Sequence, residues 1–337
     1  MRVAVLMGGR SGEHDVSLRS GAAVLDALAT LGHPALALTF LRAGGTVTND
    51  GGGGTTAQGL AAIEAWHPDV AFIAMHGPDG EDGRIQGALE LLGIPYQGSG
   101  IQASAIGLDK IRTKAILRAH ELPVAAERIA HAHAHTDWPA LAHALGLPLV
   151  LKTPASGSSV GVEIVRTAEA LATRGAALAH EAGRVLVEQF VAGREFTLPV
   201  VETPDGEPEA FPVVEIRPKA AAFFDYAAKY TPGASDEICP APIDPALESR
   251  LRTLGVAAHR ALGCSGYSRT DCIVTPEGRV VLLEVNTLPG LTRESLLPKS
   301  AAAFGVSFPD LVQRLIERAR TASATAAASA TTVFTGA

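Results

Sequence analysis

Two apolar runs carry four polar side chains whose spacing suggests phosphate chemistry. Residues 268–274 and 279–285 flank the turn Thr275-Pro276-Glu277-Gly278. If they pair as an antiparallel hairpin centred on Glu277 and Gly278, Asp271 stands opposite Glu284 and Arg269 opposite Asn286. Side chains alternate along a strand, so all four leave the sheet on one face. Opposed carboxylates repel unless a proton or a cation lies between them. Unpaired charge is costly beside Ile273, Leu282 and Leu283. Asp271, Glu284 and Asn286 make an all-oxygen donor set that suits Mg2+ or Mn2+, with phosphate oxygens completing the shell. Arg269 beside them is placed to stabilise anionic charge developing in a transition state. A sheet edge with solvated acids is the plainer reading, but it does not explain why the polar residues share a face.

Other segments offer phosphate contacts. Lys152 ends a strand and precedes the small-residue loop Thr153-Pro154-Ala155-Ser156-Gly157-Ser158-Ser159-Val160-Gly161, whose N–H groups can approach phosphate oxygens closely. The loop is not a Walker A motif, because a strand follows it, and a plain hairpin turn is the alternative. Lys110 and Lys229 are further candidates, although either alone also reads as a surface charge. Glu188 and Glu195 flank Gln189-Phe190-Val191-Ala192-Gly193-Arg194. An acid just past an apolar strand can accept from a ribose hydroxyl, with a surface position as the alternative.

Near the amino terminus, Gly8-Gly9-Arg10-Ser11-Gly12 joins a strand to a helix. It lacks the full dinucleotide-binding spacing, and the second strand lacks an acid for a ribose, which disfavours a nicotinamide-dependent dehydrogenase. A small-molecule role fits better. Glu13 would meet a substrate ammonium, or simply favour the helix N-terminus. His76 ends the third strand, at the sheet end where open α/β folds bind ligands. His131, His133 and His135 alternate in Ala-rich sequence and read as solvated.

The elements that must hold these residues fall into three parts. Strands at 3–7, 35–41 and 69–75 alternate with helices at 16–31 and 84–92, which implies a parallel sheet. The Gly-rich stretch 42–58 reads as a surface loop. Beyond residue 98 come a helix at 104–119, a hairpin of strands 148–152 and 161–165, a helix, and a strand at 185–190. Strands at 196–202 and 212–216, a polar stretch at 217–242 read as a lid, and a helix at 245–262 lead to the 268–285 hairpin. A last helix is expected to start after Ser307 and fade past Arg320, leaving 321–337 as a disordered tail.

Composition narrows the function classes. The chain has 337 residues, of which 47% are apolar and 19% charged, enough for several cores. A net charge of −7 argues against a nucleic-acid partner. Cys239, Cys264 and Cys272 show no CxxC spacing, which favours a reducing, cytoplasmic setting over a disulfide framework. No run of apolar residues is long enough to expect a membrane span.

Together these segments resemble the D-alanine–D-alanine ligases of the ATP-grasp superfamily. The matching stretches are Gly8 to Leu18, His76 to Gly87, Gly157 to Gly161, Tyr226 to Tyr230 and Glu284 to Thr292, in the family's order. The resemblance implies an α/β and α+β ATP-grasp fold. Its expected parts are a parallel-sheet preATP-grasp domain at 1–98, a central lid domain at 99–188, and a catalytic and metal domain at 189–320. It implies ATP at Lys110, Lys152, Ser159, Glu188, Val191, Glu195 and Lys229, and Mg2+ or Mn2+, expected as a pair, at Asp271, Glu284 and Asn286. Glu13 matches the residue that holds the first D-alanine's ammonium, and His76 is expected among the substrate-binding residues. Ser158 and Tyr230 match its partners in closing the site, and Arg269 and the Gly290 N–H match the oxyanion stabilisers. Ser295 and Leu296 match the segment that binds the second D-alanine's carboxylate.

The implied reaction makes D-alanyl-D-alanine for peptidoglycan through an acylphosphate, in a homodimer. Ligation of D-alanine to D-lactate or D-serine is the nearest rival. Tyr230 argues against lactate, because lactate-forming relatives replace it. Thr153, Ser156, Leu108, Gln189 and Phe190 depart from the family's usual residues around the lid and the adenine.

Overall fold

The structure is a computed structural model that describes residues 1–155, 161–219 and 235–334. Its first sheet has the order β4-β3-β2-β1-β5. Here β1 is Val3–Gly8, β2 Ala35–Phe40, β3 Thr46–Thr48, β4 Gly53–Gly54 and β5 Val70–Ile73. β1 runs parallel to both β2 and β5, as the alternating pattern predicts. Helix α1 (His14–Thr30) crosses over between β1 and β2, and α2 (Thr56–Trp66) precedes β5.

The stretch 42–58 is not a plain surface loop. Thr46 and Thr48 are buried on either side of exposed Val47 and extend the sheet antiparallel to β2. Period-two burial of β-branched residues makes a strand despite the surrounding glycines. Thr55 and Gln58 then form a reciprocal capping box that starts α2.

The expected helix at 104–119 is two helices, α4 (Ile101–Leu108) and α5 (Lys110–Ala119), preceded in the chain by α3 (Arg84–Leu91). Asp109 breaks them apart with an extended backbone, and its carboxylate accepts from the Ile111 and Arg112 N–H groups. Capping the second helix is incompatible with continuing the first.

The second sheet, β6-β9-β7-β8, is antiparallel throughout. It comprises β6 (Glu127–His131), β7 (Leu149–Lys152), β8 (Val162–Val165) and β9 (Arg184–Gln189), covered by α6 (Trp138–Leu145) and α7 (Ala168–Ala182). The expected hairpin of β7 and β8 is present.

The third sheet has the order β13-β12-β10-β14-β15, with β11 beside β10. Its strands are β10 (Arg194–Glu202), β11 (Pro208–Ala210), β12 (Val214–Pro218), β13 (Ser235–Ile238), β14 (Tyr267–Val274) and β15 (Val280–Asn286). Part of the expected polar lid is therefore strand β13, paired to β12. Helix α8 (Pro245–Ala261) packs on this sheet, and α9 (Leu296–Ala303) and α10 (Phe308–Phe334) complete the chain. Ser307 accepts from the Asp310 N–H, as an N-cap should. The helix does not fade at Arg320: it continues to Phe334, so 321–334 is not a tail. Alanine, which dominates that stretch, is the strongest helix former.

The cores do not follow the sequential division. Leu311, Val312, Leu315, Ile316 and Ala319 of α10 share the first sheet's core with Val24 and Leu28 of α1. Leu117 of α5 is buried with Phe196, Leu198 and Leu251 in the third sheet's core. The chain's last helix thus returns to its first sheet, and α5 belongs to the sheet that carries the expected metal ligands.

Candidate active site

The β14–β15 hairpin pairs Asp271 with Glu284 and Arg269 with Asn286, the partners that spacing predicts. The route differs. Next to the turn, Val274 pairs with Val280 and Cys272 with Leu282, which centres the turn on Glu277 alone. A bulge between Asp271 and Cys272 then shifts the register by one residue. Without that bulge Leu283 would face Asp271, and Glu284 would point to the opposite side.

Asp271 is buried and heavily coordinated by side chains. Thr197 Oγ1 donates to its Oδ1 at 2.6 Å, and the Arg269 guanidinium forks both carboxylate oxygens at 2.9 Å. Lys110 Nζ lies 3.4 Å from Glu284 Oε2. Two cations thus offset the two opposed acids. Asn286 Oδ1 accepts from the Leu288 N–H at 2.9 Å, which fixes the amide. Among the described residues no cluster of three His, Cys, Asp or Glu side chains could hold a metal ion. The expected set reaches three donors only through the Asn286 carbonyl. A buried carboxylate, an opposed carboxylate and an amide oxygen, with phosphate supplying the rest, fit a hard divalent cation.

Lys152 and Glu188 also come together. Lys152 Nζ is 2.7 Å from Glu188 Oε2, and Lys114 Nζ is 2.8 Å from Oε1. Burial alone would raise the Glu188 carboxyl, but Lys152 and then Lys114 reverse this and hold it at about 2. Glu188 is thus a buried ion-pair centre within β9, not a carboxylate open to a ribose. Glu195 is the half-buried alternative: it faces Ile216 and Ile273 on β10, two residues before Thr197 on the same strand face. Val191 is buried with Ala125 and Val281 at the turn between β9 and β10.

Near the amino terminus the structure brings Glu13 and His76 together. Glu13 occupies the N-cap position of α1 without a side-chain cap bond. Ser11 Oγ donates to the His76 carbonyl at 2.7 Å, and Ser20 Oγ lies 3.1 Å from His76 Nε2. Gly77 has φ +70°, and a Cβ there would come within 2.9 Å of Glu13 Oε2, so the loop at His76 closes directly on Glu13. His76 Nδ1 is 3.6 Å from Glu81 Oε1. Burial opposes the imidazolium, but Glu81 and then Glu13 outweigh it and raise the His76 pKa.

At Gly290 an added Cβ would come within 2.9 Å of Ser295 Oγ. Ser295 stands at the N-cap of α9 but turns its hydroxyl to Thr292, accepting from that residue's N–H at 3.2 Å. Leu296 packs its side chain beside Val214 and Ile216, leaving its backbone for any ligand contact. Ser158, Ser159, Lys229 and Tyr230 lie outside the described residues. His131, His133 and His135 are exposed, as expected.

Three participants escaped the sequence reading. Lys114 follows Lys110 by one helical turn, so the two share a face. Thr197 follows Glu195 by two strand positions and shares its face. Glu81 lies in the 76–87 stretch that matches the family, five residues after its partner His76.

Comparison with known proteins supports one family. The chain matches the family described as D-ala D-ala ligase C-terminus over residues 106–317, and D-ala D-ala ligase N-terminus over residues 46–99. It is 45% identical over 320 residues to a D-alanine–D-alanine ligase of Desulforudis audaxviator, covering 95% of this chain and 98% of the relative. A Bacillus anthracis D-alanine–D-alanine ligase complexed with ATP superposes with a TM-score of 0.80 at 31% identity, covering 96% of this chain and 99% of that one. The VanG D-Ala:D-Ser ligase of Enterococcus faecalis gives a TM-score of 0.81 at 30% identity, covering 94% and 99%.

Proposed function

The chain belongs to the D-alanine–D-alanine ligase family, and from that premise we propose how its residues divide the reaction. It is an ATP-dependent ligase that joins two D-alanines. The observation that carries this reading is the pairing of Glu13 with His76 and of Lys110 with Glu284 across long stretches of sequence, beside the Arg269–Asp271 fork opposite Glu284.

Glu13 receives the ammonium of the first D-alanine, and His76 offers positive charge toward its carboxylate. That carboxylate attacks the γ-phosphoryl of ATP and becomes an acylphosphate, releasing ADP. The second D-alanine's amine attacks the acyl carbon, the dipeptide bond forms, and phosphate leaves. Phosphoryl transfer of this kind needs positioning and charge neutralisation more than a protein nucleophile. Lys110 and Lys152 supply cations to the phosphates, with Val191 and Glu195 beside the nucleoside. Lys229 and Ser159 have nucleotide roles, and Ser158 and Tyr230 close the first substrate's pocket, by resemblance alone. Asp271, Glu284 and Asn286 would hold Mg2+ or Mn2+, which when bound offsets the charge of the phosphate oxygens. Arg269 and the Gly290 N–H face the oxyanion that develops at the acyl carbon. The N-terminus of α9, at Ser295 and Leu296, suits the second substrate's carboxylate.

The product serves peptidoglycan assembly. Three free cysteines fit a reducing cytoplasm, and no described helix is long and apolar enough to cross a membrane. A homodimer is the assembly to test by analytical ultracentrifugation. The residues bearing on catalysis divide as 1–98, 99–188 and 189–320, with the shared cores noted above.

The deciding experiment measures phosphate release with ATP and Mg2+, comparing D-alanine alone with D-alanine plus D-serine or D-lactate. Release with D-alanine alone, giving D-alanyl-D-alanine, is expected. Release only when D-serine is added would replace the substrate assignment with that of the VanG-like neighbour.

A further inference from the structure

Lys114 takes no part in the reaction above, yet it is a lysine with no exposed side-chain surface. Its Nζ sits at ion-pair distance from Glu188 Oε1, and among the described residues neither atom has a hydrogen-bond partner. Glu127 stands directly opposite Glu188 in the β6–β9 ladder, and its Oε2 is likewise buried without a hydrogen bond. The other Glu127 oxygen accepts from Arg118 at 2.8 Å. Two acids and two lysines are therefore enclosed together between α5 and the second sheet.

A buried ion pair kept only for stability is poorly explained, since apolar residues of similar size usually serve as well or better. The placement of Lys114 suggests another reason. It shares a helix face with Lys110, four residues earlier, which reaches Glu284 on the third sheet. The one helix therefore links a carboxylate on the second sheet to one on the third. Lys152 is the more accessible of the two Glu188 partners, at 11% exposure. If Lys152 turns its ammonium to a phosphate, Glu188 loses one of its two cations.

We propose that Lys114 is a positioning residue for the nucleotide: it keeps Glu188 charged and in place, so that Lys152 is released to ATP without leaving a buried, unpaired carboxylate. This rests on the ATP-binding reading above.

The test is calorimetric titration of ATP with Mg2+ into the full-length protein without D-alanine, together with steady-state kinetics and thermal unfolding. Lys114→Gln is expected to raise Kd and KM for ATP about ten-fold, with kcat at saturating ATP kept within about two-fold. A lowered Tm with unchanged Kd would reduce Lys114 to a structural residue and sink the proposal. If Lys114→Gln does not fold, Glu188→Gln and the double variant decide, because a pair of amides of matching shape removes both buried charges. Acting through Glu188, Lys114 should add nothing there, so the two variants should share one Kd within about two-fold. A further ten-fold loss in the double variant would overturn the proposal. Failure of the wild type to bind ATP would instead remove the functional reading on which it rests.

Discussion

Two buried charge networks in this molecule are each centred on a glutamate and end differently. In one, Glu188 lies between Lys114 and Lys152, opposite Glu127, and Lys114 Nζ, Glu188 Oε1 and Glu127 Oε2 find no hydrogen bond among the described residues. In the other, Glu202 accepts from Gly266 N–H and Arg318 Nε at 2.7 Å and from Ser265 Oγ at 3.3 Å, and lies 3.2 Å from His259 Nε2. His259 Nδ1 is 2.8 Å from Ser268 Oγ. Ser268, His259 and Glu202 have the order of a hydrolase triad, but Ser268 is fully buried and no substrate can reach it. The complete network ties α8 and α10 to the third sheet. The incomplete one lies between α5 and the second sheet, next to the expected nucleotide contact Lys152. Completeness of hydrogen bonding, more than charge, separates a structural network from one arranged to receive a ligand.

The largest expected effect tests the structural side. Glu202→Ala leaves Arg318 and His259 without their partner and should cost about 3–5 kcal/mol of stability, read from urea unfolding, with KM for ATP unchanged. The pH dependence carries the same contrast. Hydrogen bonds from His259, Gly266 and Arg318 outweigh burial and hold Glu202 at about 2, below the ordinary 4.5. A depressed carboxylate pKa means that the unfolded chain binds the proton more tightly. The stabilisation is therefore complete above pH 4.5 and is lost as pH falls through about 2. Glu202→Gln should lower stability at neutral pH and flatten the fall between those values. An unchanged acid limb would show that the network does not carry it.

Next in size is the cleft. Glu284→Gln should reduce ATP-dependent phosphate release about 100-fold while Tm stays near that of the wild type. Near-normal turnover would remove Glu284 from the metal set. Its position was legible in sequence through a cancellation. Arithmetic placed the turn centre half a residue too far along, and an unseen bulge restored the pairing. Bulges depend on tertiary packing and leave no local signature at Leu283. Lys114 was illegible for another reason: on an amphipathic helix a lysine reads as solvated, and only the tertiary ion pair with Glu188 on the second sheet accounts for its burial. The break at Asp109 was more accessible, since an acid followed two and three residues later by helical N–H groups is a capping pattern. What the sequence carried well was the parallel order of β1, β2 and β5, because uninterrupted apolar runs leave few alternatives.

Thr197 sharpens the comparison from inside the cleft. Its hydroxyl is fully buried and serves Asp271 Oδ1 as Ser268 serves His259, yet here the partner is an expected metal ligand. Thr197→Val keeps the volume and removes the donor. Mn2+ affinity in the presence of ADP, read by electron paramagnetic resonance, should weaken about ten-fold, and Thr197→Ser should restore it. Equal affinity in the valine variant would make Thr197 a packing residue only.

The smallest effect belongs to an ion pair with good geometry and open surroundings. Arg174 donates from Nε to Glu163 Oε2 at 2.8 Å, with a second bond alongside, linking α7 to β8. The fork resembles that of Arg269 on Asp271, but Arg174 is half exposed. Water and salt screen such a pair, and holding two long side chains together costs entropy. Arg174→Ala should therefore shift Tm by no more than about 2 °C, and raising the salt concentration should erase even that difference. A larger, salt-insensitive loss would mean that the fork itself stabilises, and that solvent access is not what distinguishes the surface pair from the two buried networks.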